Sequence, residues 1–365
     1  MRYMLFLLIV LFGSCKVQNP LLLPISIDLS EKIVSPKQYI IPKSDQEIKI
    51  DGNAFEEAWL RAPFTKNFID IEGEKIPKYN TKVKLLWDEN YLYVFAMLEE
   101  EHIWADLVMH DAVIFHNNNF EVFIDPSASS TIYGELEINA LGTTWDLLLQ
   151  KPYRVGGKAI NTWNIPGLKH AIQFEGTLNN PLDRDIFWSV ELAIPMDCLL
   201  ELKNNPKKLP KEGEQWRMNF SRVEWNHEII MGKYRRKQVD GKILPEYNWV
   251  WSPQKVINMH EPEKWGIVQF THKAHLIDAK FKKNPNELYR QITFALFREI
   301  RFGELQYLMN ENYWSGLEIK AMYDKDQYLN AYFYKTHHGF ELKCVLPDQD
   351  FSYIINEEGV INKIP

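Results

Sequence analysis

The chain has 365 residues and a formal net charge of −7, with 42 basic and 49 acidic residues. An acidic chain is a poor ligand for nucleic acid, so we expect no nucleic-acid partner. Hydrophobic residues make up 45% of the sequence and aromatic residues 13%, which is enough for one large globular core and a smaller one beside it.

The N-terminus has the pattern of an export signal. Arg2 precedes an apolar run from Met4 to Phe12, and a Gly-Ser dipeptide then leads directly into Cys15. As a helix, an apolar run of about nine residues rises only about 14 Å, less than half of a bilayer core of about 30 Å. The run therefore predicts a secretory signal rather than a membrane span. Since small residues before a cysteine are typical of a lipobox, we predict a signal peptide at residues 1–14 and lipidation of Cys15.

The segment after the cysteine has scattered prolines and no sustained hydrophobic period. Residues 15–40 are therefore predicted to be a tether between the lipid and the folded part of the chain. An acylated cysteine would place the protein in the bacterial cell envelope, with the outer membrane as the expected location. The sequence leaves open whether the protein lies on the periplasmic face or on the surface face of that membrane.

Short strands are predicted from residue 41 to residue 272. The runs 82–87 and 91–98 are separated by Asp88-Glu89-Asn90, which is typical of a β-hairpin. Both faces of the second run are apolar, so it is predicted to be a central strand. Further strands are expected at 120–124, 135–141, 144–149, 187–194, 216–224 and 266–270. Helical signals in this part are brief, at 53–60 and 196–200. The pattern predicts an all-β fold, a two-sheet antiparallel β-sandwich of the immunoglobulin or jelly-roll type.

The hydrophobic period changes near residue 284. Asn284-Pro285 can cap and open a helix that ends before Gly303. Within it an apolar residue recurs at every fourth position: Leu288, Ile292, Leu296 and Ile300. Two alternating runs follow, at 329–333 and 340–346, and predict a small β meander. Residues 273–365 are therefore expected to form a small α+β appendage whose function is unknown.

Strand alternation predicts a row of polar side chains on one face of a sheet. The side chains expected to face the core are Phe120, Val122, Ile124, Leu136, Ile138 and Ala140. The side chains expected to face the other way are Glu121, Glu135, Glu137 and Asn139. If the two strands are neighbours, these polar groups share one face. Arg222 is expected either to hydrogen-bond a ligand's hydroxyls or to neutralise the acids, and the whole row could also be a solvated face.

Several segments, taken in order, resemble the family 9 carbohydrate-binding modules. They are Ile50-Asp51-Gly52 through Trp59, Val83 to Val94, Glu121 to Pro126, Glu137 to Gly142, Trp251-Ser252-Pro253 and His260 to Gly266. Their order and spacing carry the resemblance, which spans residues 45–270 but not the C-terminal appendage. It implies a β-sandwich with a sugar site on one sheet face and, in some members, structural calcium.

The resemblance also implies a sugar clamp built from two aromatic side chains. The first clamp position falls on Phe115, which keeps an aromatic ring, and the second falls on Met259, an adaptable thioether without a flat face. Trp104, in the preceding loop, is the aromatic residue expected to compensate. Because sugars need a flat apolar surface edged by polar groups, the predicted carbohydrate-binding residues are Phe115, Trp104, Glu121, Glu137, Asn139, Arg222 and Met259.

We therefore expect a membrane-anchored, non-catalytic lipoprotein that binds a saccharide or polysaccharide. Glycan-degrading enzymes are the expected partners, since the family resemblance connects such modules with glycoside hydrolysis. No cofactor is predicted. Metal binding stays open, because Asp51, Asp70 and Asp88 are plausible calcium ligands but lack the spacing of an EF-hand loop.

Two other function classes stay open. A pair of carboxylates such as Glu121 and Glu137 could serve glycoside hydrolysis, which places two carboxyl groups across a scissile bond. A haem-binding sandwich is the second class, with thioether and imidazole ligands drawn from Met109, His110, Met259 and His260. The sequence contains no Cys-x-x-Cys-His motif, so covalently attached haem is excluded.

Overall fold

The computed structural model describes residues 23–203, 208–311 and 316–365. The predicted signal peptide and Cys15 lie outside the described residues. Within the described ranges, no helix is both long enough and apolar enough to span a bilayer.

The strands up to residue 224 are β1 (Ile25–Asp28), β2 (Gln38–Ile41), β3 (Ile69–Asp70), β4 (Thr81–Trp87), β5 (Tyr91–Glu99), β6 (Asn119–Asp125), β7 (Tyr133–Asn139), β8 (Thr144–Leu149), β9 (Ala159–Ile160), β10 (Lys169–Glu175), β11 (Phe187–Pro195) and β12 (Gln215–Glu224). The later strands are β13 (His227–Ile230), β14 (Lys233–Arg236), β15 (Gln238–Val239), β16 (Lys242–Ile243), β17 (Tyr247–Val250), β18 (Gly266–Phe270), β19 (Leu317–Asp324), β20 (Gln327–Lys335), β21 (Phe340–Val345), β22 (Ser352–Asn356) and β23 (Ile361–Ile364).

Helices are few and mostly short. The α-helices are α1 (Glu57–Arg61), α2 (Met196–Glu201) and α3 (Glu287–Phe302). Short 3-10 turns lie at Ser30–Lys32, Ile114–His116, Tyr153–Val155, Pro262–Lys264 and Gln306–Asn310.

Two sheets form the predicted sandwich. The smaller sheet has the order β10-β11-β5-β4, and the larger one runs β2-β18-β12-β6-β7-β8-β9, with β17 beside β12 and β3 beside β17. All these pairings are antiparallel except that of β18 with β2. The predicted hairpin is β4–β5, and β5 lies between β4 and β11 as a central strand. The two-sheet β-sandwich is therefore confirmed.

One continuous apolar core lies between the two sheets. Each strand contributes alternate side chains to it, for example Val94 and Ala96 from β5 and Met218 and Phe220 from β12. The other face of β5 is apolar because α1 covers it, with Trp59 packed against Phe95. This second layer explains why both faces of the strand are hydrophobic.

The C-terminal part has its own sheet and its own core. Its strand order is β1-β19-β20-β21-β22-β23, and α3 covers one face. The helix is followed by Gly303, as the sequence predicts, and Ile292, Leu296 and Ile300 are fully buried. Leu288 is instead 42% exposed, because it lies in the first turn, beyond the edge of the sheet core.

The strand pairing corrects two predictions, the extent of the N-terminal tether and the size of the C-terminal meander. The predicted tether at residues 15–40 is too long, because β1 pairs in parallel with β19 and β2 pairs in parallel with β18. Both are four-residue strands whose partners lie more than two hundred residues away in the sequence, so no local pattern marks them. The C-terminal meander is also larger than expected, with five antiparallel strands from β19 to β23.

Buried polar groups join the two parts. Arg217, on β12, is 3% exposed and donates to both carboxylate oxygens of Glu287 at 2.6 Å. Glu263 is 1% exposed and pairs with Arg298 of α3 at 3.0 Å. Since both pairs are removed from water, the appendage is docked onto the sandwich rather than loosely attached.

Candidate functional site

The predicted polar row exists on the outer face of the larger sheet. Glu121 on β6 lies directly opposite Glu137 on β7, and Glu135 lies opposite Phe123. The alternate residues that the sequence assigns to the core, Phe120, Val122, Ile124, Leu136, Ile138 and Ala140, are all in the core between the sheets. The facing predicted from strand alternation is therefore confirmed for both strands.

A cavity of about 250 Å³ lies over this face. Its carboxyl groups come from Glu121, Glu135, Glu137 and Glu246, and its aromatic rings include Phe115, Phe123, Trp145 and Tyr153. Loop residues from 257 to 260 close the other side. The cavity thus combines an acidic floor with aromatic walls.

The two clamp positions line this same cavity. Phe115 lies in the 3-10 turn just before β6 and is half-buried. Met259 comes from the loop before β18 and is 7% exposed, packed in a cluster with Phe123 and Trp265. The Trp265 indole also donates to the Met259 carbonyl at 2.7 Å. These contacts hold the thioether in a fixed position at the cavity wall.

The floor carboxyl groups are buried without compensating cations. Among the ion pairs of the described residues, none includes Glu121, Glu135 or Glu137. The Asn119 amide donates to Glu121 at 3.0 Å and to Glu137 at 3.2 Å, whereas Glu135 Oε2 has no hydrogen-bond partner. Buried carboxylates left in this state are costly in free energy unless they are protonated or bind a ligand.

The protonation of the floor follows from this burial. Burial raises the pKa of Glu121 to about 7. Burial and then the negative charge of Glu121 raise the pKa of Glu135 and of Glu137 well above the usual range of a glutamate. The floor therefore retains protons near neutral pH. It can both donate hydrogen bonds from carboxyl groups and accept them at carboxylates.

His260 forms the neutral end of the cavity. Its Nδ1 lies 3.0 Å from the Tyr133 hydroxyl, and its ring makes an edge contact with Tyr153 at 4.5 Å between centroids. Burial lowers the pKa of His260 to about 4, so the imidazole is uncharged at neutral pH.

Arg222 corrects one predicted site residue, because it lies on the opposite face of the sheet. It is fully buried between the two sheets and pairs with Glu100 and Glu224, each at 2.8 Å. In the register of β12 and β6 it stands opposite Phe120, a core residue, so it cannot reach Glu121. The alternation of Trp216, Met218 and Phe220 on β12 already indicates this inward direction.

Trp104 and Asn139 are also structural rather than exposed to the cavity. Trp104 is 3% exposed and stacks on Tyr234, with an interplanar angle of 16°, in a cluster against which Phe115 packs. The Asn139 side chain donates to the Leu107 carbonyl at 2.8 Å and accepts from two backbone amides of the β7–β8 turn. Trp104 therefore supports Phe115 by packing, and Asn139 stabilises a turn.

Several cavity residues lie outside the predicted set, among them Trp145, Tyr153 and His260. Trp145 lies opposite Glu137 on the neighbouring strand β8, so extending the alternation by one strand would have found it. Tyr153 and His260 come from loops, where no periodicity indicates the direction of a side chain.

A larger groove of about 570 Å³ adjoins the cavity. The two share Ile71, Glu246, Asn248 and Ile257 as a common wall. Tyr247, which also lines the groove, is 49% exposed and stacks on Trp249, with 6.0 Å between ring centroids. The cavity therefore opens beside a second aromatic surface.

The structure does not assemble the residues considered for haem. Met259 and His260 line the cavity, whereas Met109 and His110 do not, and Met109 is 72% exposed. Four potential ligands that lie in different places do not define a haem pocket.

The candidate calcium ligands are occupied by local turns. The Asp51 carboxylate accepts from Asn53, the Asp70 carboxylate from the amides of residues 74 and 75, and the Asp88 carboxylate from the amides of residues 90 and 91. These contacts give each aspartate a structural role in its own turn. The three residues do not fit a shared calcium site.

Comparison with known proteins gives one family match. Residues 50–146 match the family model described as carbohydrate family 9 binding domain-like, which confirms the resemblance over that segment. A comparison with curated proteins finds no match.

Two solved structures of family 9 carbohydrate-binding modules from Caldicellulosiruptor kristjanssonii are similar to the chain. The complex with cellotriose is 15% identical, and the alignment covers 68% of this chain and 100% of that one, with a TM-score of 0.43. The complex with glucose is 14% identical, with the same coverage and a TM-score of 0.41.

Proposed function

We propose that the sandwich, whose residues 50–146 match the carbohydrate family 9 binding domain-like model, binds a saccharide in the cavity between Phe115 and Met259. One observation carries the proposal. The two positions that correspond to the aromatic clamp line a single cavity, and its floor consists of Glu121, Glu135 and Glu137. The family pattern indicates the two clamp positions, and strand alternation independently indicates the floor.

The chemistry of the cavity suits a neutral, hydroxyl-rich ligand. The Phe115 ring offers a flat apolar surface to one face of a pyranose, and the Met259 thioether offers a softer contact from the loop side. The floor supplies hydrogen-bond donors and acceptors because it holds both carboxyl and carboxylate groups. A charged ligand is not required, which separates this site from an anion or cation pocket.

The size of the cavity favours a single sugar unit. Its volume of about 250 Å³ is just below the range of roughly 300–1,000 Å³ that is typical of pockets for drug-sized ligands. Further units of an oligosaccharide would extend into the adjoining groove, where Tyr247 offers an exposed ring.

Binding is favoured over hydrolysis. A glycosidase places its two carboxyl groups on either side of a scissile bond, whereas Glu121, Glu135 and Glu137 all belong to the floor strands β6 and β7. The matched family is also defined as a binding domain. The chain would therefore capture a polysaccharide on which separate enzymes act.

The cellular setting is part of the same proposal. A lipid on Cys15 would anchor the sandwich to the cell envelope, with the glycan-degrading enzymes as partners at that membrane. The support is the apolar run from Met4 to Phe12 followed by Gly-Ser-Cys.

A glycan array probed with the purified full-length protein in detergent tests the binding activity. We expect a signal confined to a related group of saccharides and competed by the free sugar. Absence of signal across mono-, oligo- and polysaccharides, with the protein folded by circular dichroism, would refute the proposed function.

A further inference from the structure

A second cluster of polar side chains lies outside the cavity, at the edge of the larger sheet. The ligand atoms of His110, Asp111 and Asp146 lie within 4.8 Å of one another. His110 Nε2 is 3.4 Å from Asp111 Oδ1 and 3.6 Å from Asp146 Oδ1. It is also 3.1 Å from Asn164 Oδ1. Three oxygen atoms thus surround one imidazole nitrogen.

The other ring nitrogen of His110 indicates where the proton lies. His110 Nδ1 is 3.1 Å from the Thr144 carbonyl and 3.2 Å from the Thr144 hydroxyl. A carbonyl only accepts hydrogen bonds, so Nδ1 carries the hydrogen. Asn164 keeps its oxygen toward the ring because its amide nitrogen donates to the Thr162 carbonyl. In the neutral imidazole, Nε2 then directs a lone pair at three oxygen atoms, an arrangement that calls for a cation.

Asp146 provides an independent observation. Its side chain is 4% exposed, and Oδ1, the atom that faces His110, has no hydrogen-bond partner. The second oxygen accepts from the Ile165 amide and is satisfied. Leaving a buried polar atom unpaired is unfavourable, so a bound ion would remove that penalty at this position.

We propose that His110, Asp111 and Asp146 bind a divalent transition-metal ion of the zinc class, with the Asn164 amide oxygen as a fourth ligand. One imidazole nitrogen with carboxylate oxygens is a donor set that such ions accept. Zinc bonds of about 2.0–2.2 Å give separations of about 3.3–3.6 Å between ligands at the corners of a tetrahedron. The distances from Nε2 to the two carboxylates fall in this range. The Thr144 carbonyl on Nδ1 is the usual orienting partner of a metal-bound histidine.

The site would have a structural consequence. It joins the segment that leads to Phe115 with β8, through Asp146, and with the loop at residues 161–164. Because His110 and Asp111 are open to solvent, an ion could enter without unfolding. Occupancy would stabilise the folded chain by mass action.

The test is zinc binding by the full-length protein after removal of metals with EDTA. Calorimetric titration with ZnCl2 should give one ion per chain, together with a rise in melting temperature. His110→Ala removes a ligand, and the isosteric Asp146→Asn replaces a charged carboxylate with a neutral amide, so each should weaken zinc binding by about tenfold or more. The matched control, His275→Ala at an exposed histidine elsewhere, should bind zinc like the unchanged protein.

Two results would overturn the proposal. The first is zinc binding that is the same in His110→Ala, in Asp146→Asn and in the control, since the metal would then be held elsewhere. The second result has two parts. The protein does not bind zinc at 100-fold molar excess, and His110 contributes to stability only at low pH, with the contribution lost as pH rises. That outcome would identify a protonated imidazolium paired with the two aspartates in place of a metal ion.

Discussion

Glu121 and Glu137 lie directly opposite each other on adjacent strands, and both are buried. The nearest arginine in the register, Arg222, points to the other face of the sheet, where it is held by Glu100 and Glu224. The sheet therefore separates a core cluster that contains an arginine from an acidic floor that has no ion pair among the described residues. This separation accounts for the pKa shifts of the floor and for the predictions that follow from them.

The first prediction concerns pH. Burial raises the pKa of folded Glu121 from its ordinary value to about 7, so the folded state holds this proton more tightly than the unfolded state does. Its contribution to stability is full below the unfolded pKa and is lost as pH rises through 7. Glu121→Gln, which cannot ionise, should leave the melting temperature unchanged at pH 4 and raise it at pH 8. The difference corresponds to at most about 3 kcal/mol.

Comparing variants at each pH isolates this residue from other titrating groups. The low pKa of His260 acts in the opposite direction, since its neutral state is lost on acidification, but it is present in both proteins. Glu175→Gln, at an exposed glutamate, is the matched control and should change nothing at either pH. An equal melting temperature for Glu121→Gln and the unchanged protein at pH 8 would show that the carboxyl group is not desolvated.

The second prediction concerns Arg222. Replacing it with Met leaves Glu100 and Glu224 buried without their cation, which should reduce the free energy of unfolding by about 3–5 kcal/mol. Urea denaturation measures this change. Arg184→Ala breaks an exposed pair with Glu101 and should cost at most about 1 kcal/mol. If Arg222→Met costs no more than this control, the buried cluster is not a structural element.

Strand alternation was sufficient to predict the floor of the site. The outward direction of Glu121 and Glu137 follows because their apolar neighbours can only face the core. The same rule applied to β12 directs Arg222 inward, whereas the chemistry of its guanidinium group alone suggests a ligand contact. Tyr153 and His260 come from loops without periodicity. The strands β1 and β2 pair with partners far away in the sequence, so local pattern alone could not reveal that residues 25–41 are folded.

The third prediction concerns the C-terminal part. A chain of residues 37–273 should fold, because the core between the sheets includes no residue from the appendage. It should be less stable than the full chain, since Arg217 and Glu263 lose Glu287 and Arg298. Circular dichroism should report mainly β structure, with a lower urea midpoint. If the chain of residues 37–273 aggregates, and the combined changes Arg217→Met and Glu263→Gln do not relieve the aggregation, the sandwich and the C-terminal part share one core.

The fourth prediction concerns the anchor. In a bacterial host that processes lipoproteins, Cys15→Ala should remove the acylation site and leave the protein in the soluble exported fraction. Detergent phase partitioning with Triton X-114 distinguishes the two forms. Cys198→Ala, at a buried free cysteine, is the control and should still enter the detergent phase. Membrane partitioning of Cys15→Ala would contradict lipidation at this residue.

The central claim is that saccharide binding depends on the Phe115 ring. Truncating a well-packed aromatic contact commonly costs about 2 kcal/mol or more, which is about thirtyfold in affinity. Because Phe115 is only half-buried, Phe115→Ala should reduce the free energy of unfolding by only about 1 kcal/mol. Phe55→Ala, at a ring that is 79% exposed and does not line the cavity, is the matched control.

Isothermal titration calorimetry with the saccharide selected on the array is therefore the most direct measurement. The account predicts that the full-length protein and Phe55→Ala bind with equal affinity, while Phe115→Ala binds at least about thirtyfold more weakly and remains folded. Equal affinity of Phe115→Ala and the unchanged protein would contradict the account, because the saccharide would then bind at a surface other than this cavity.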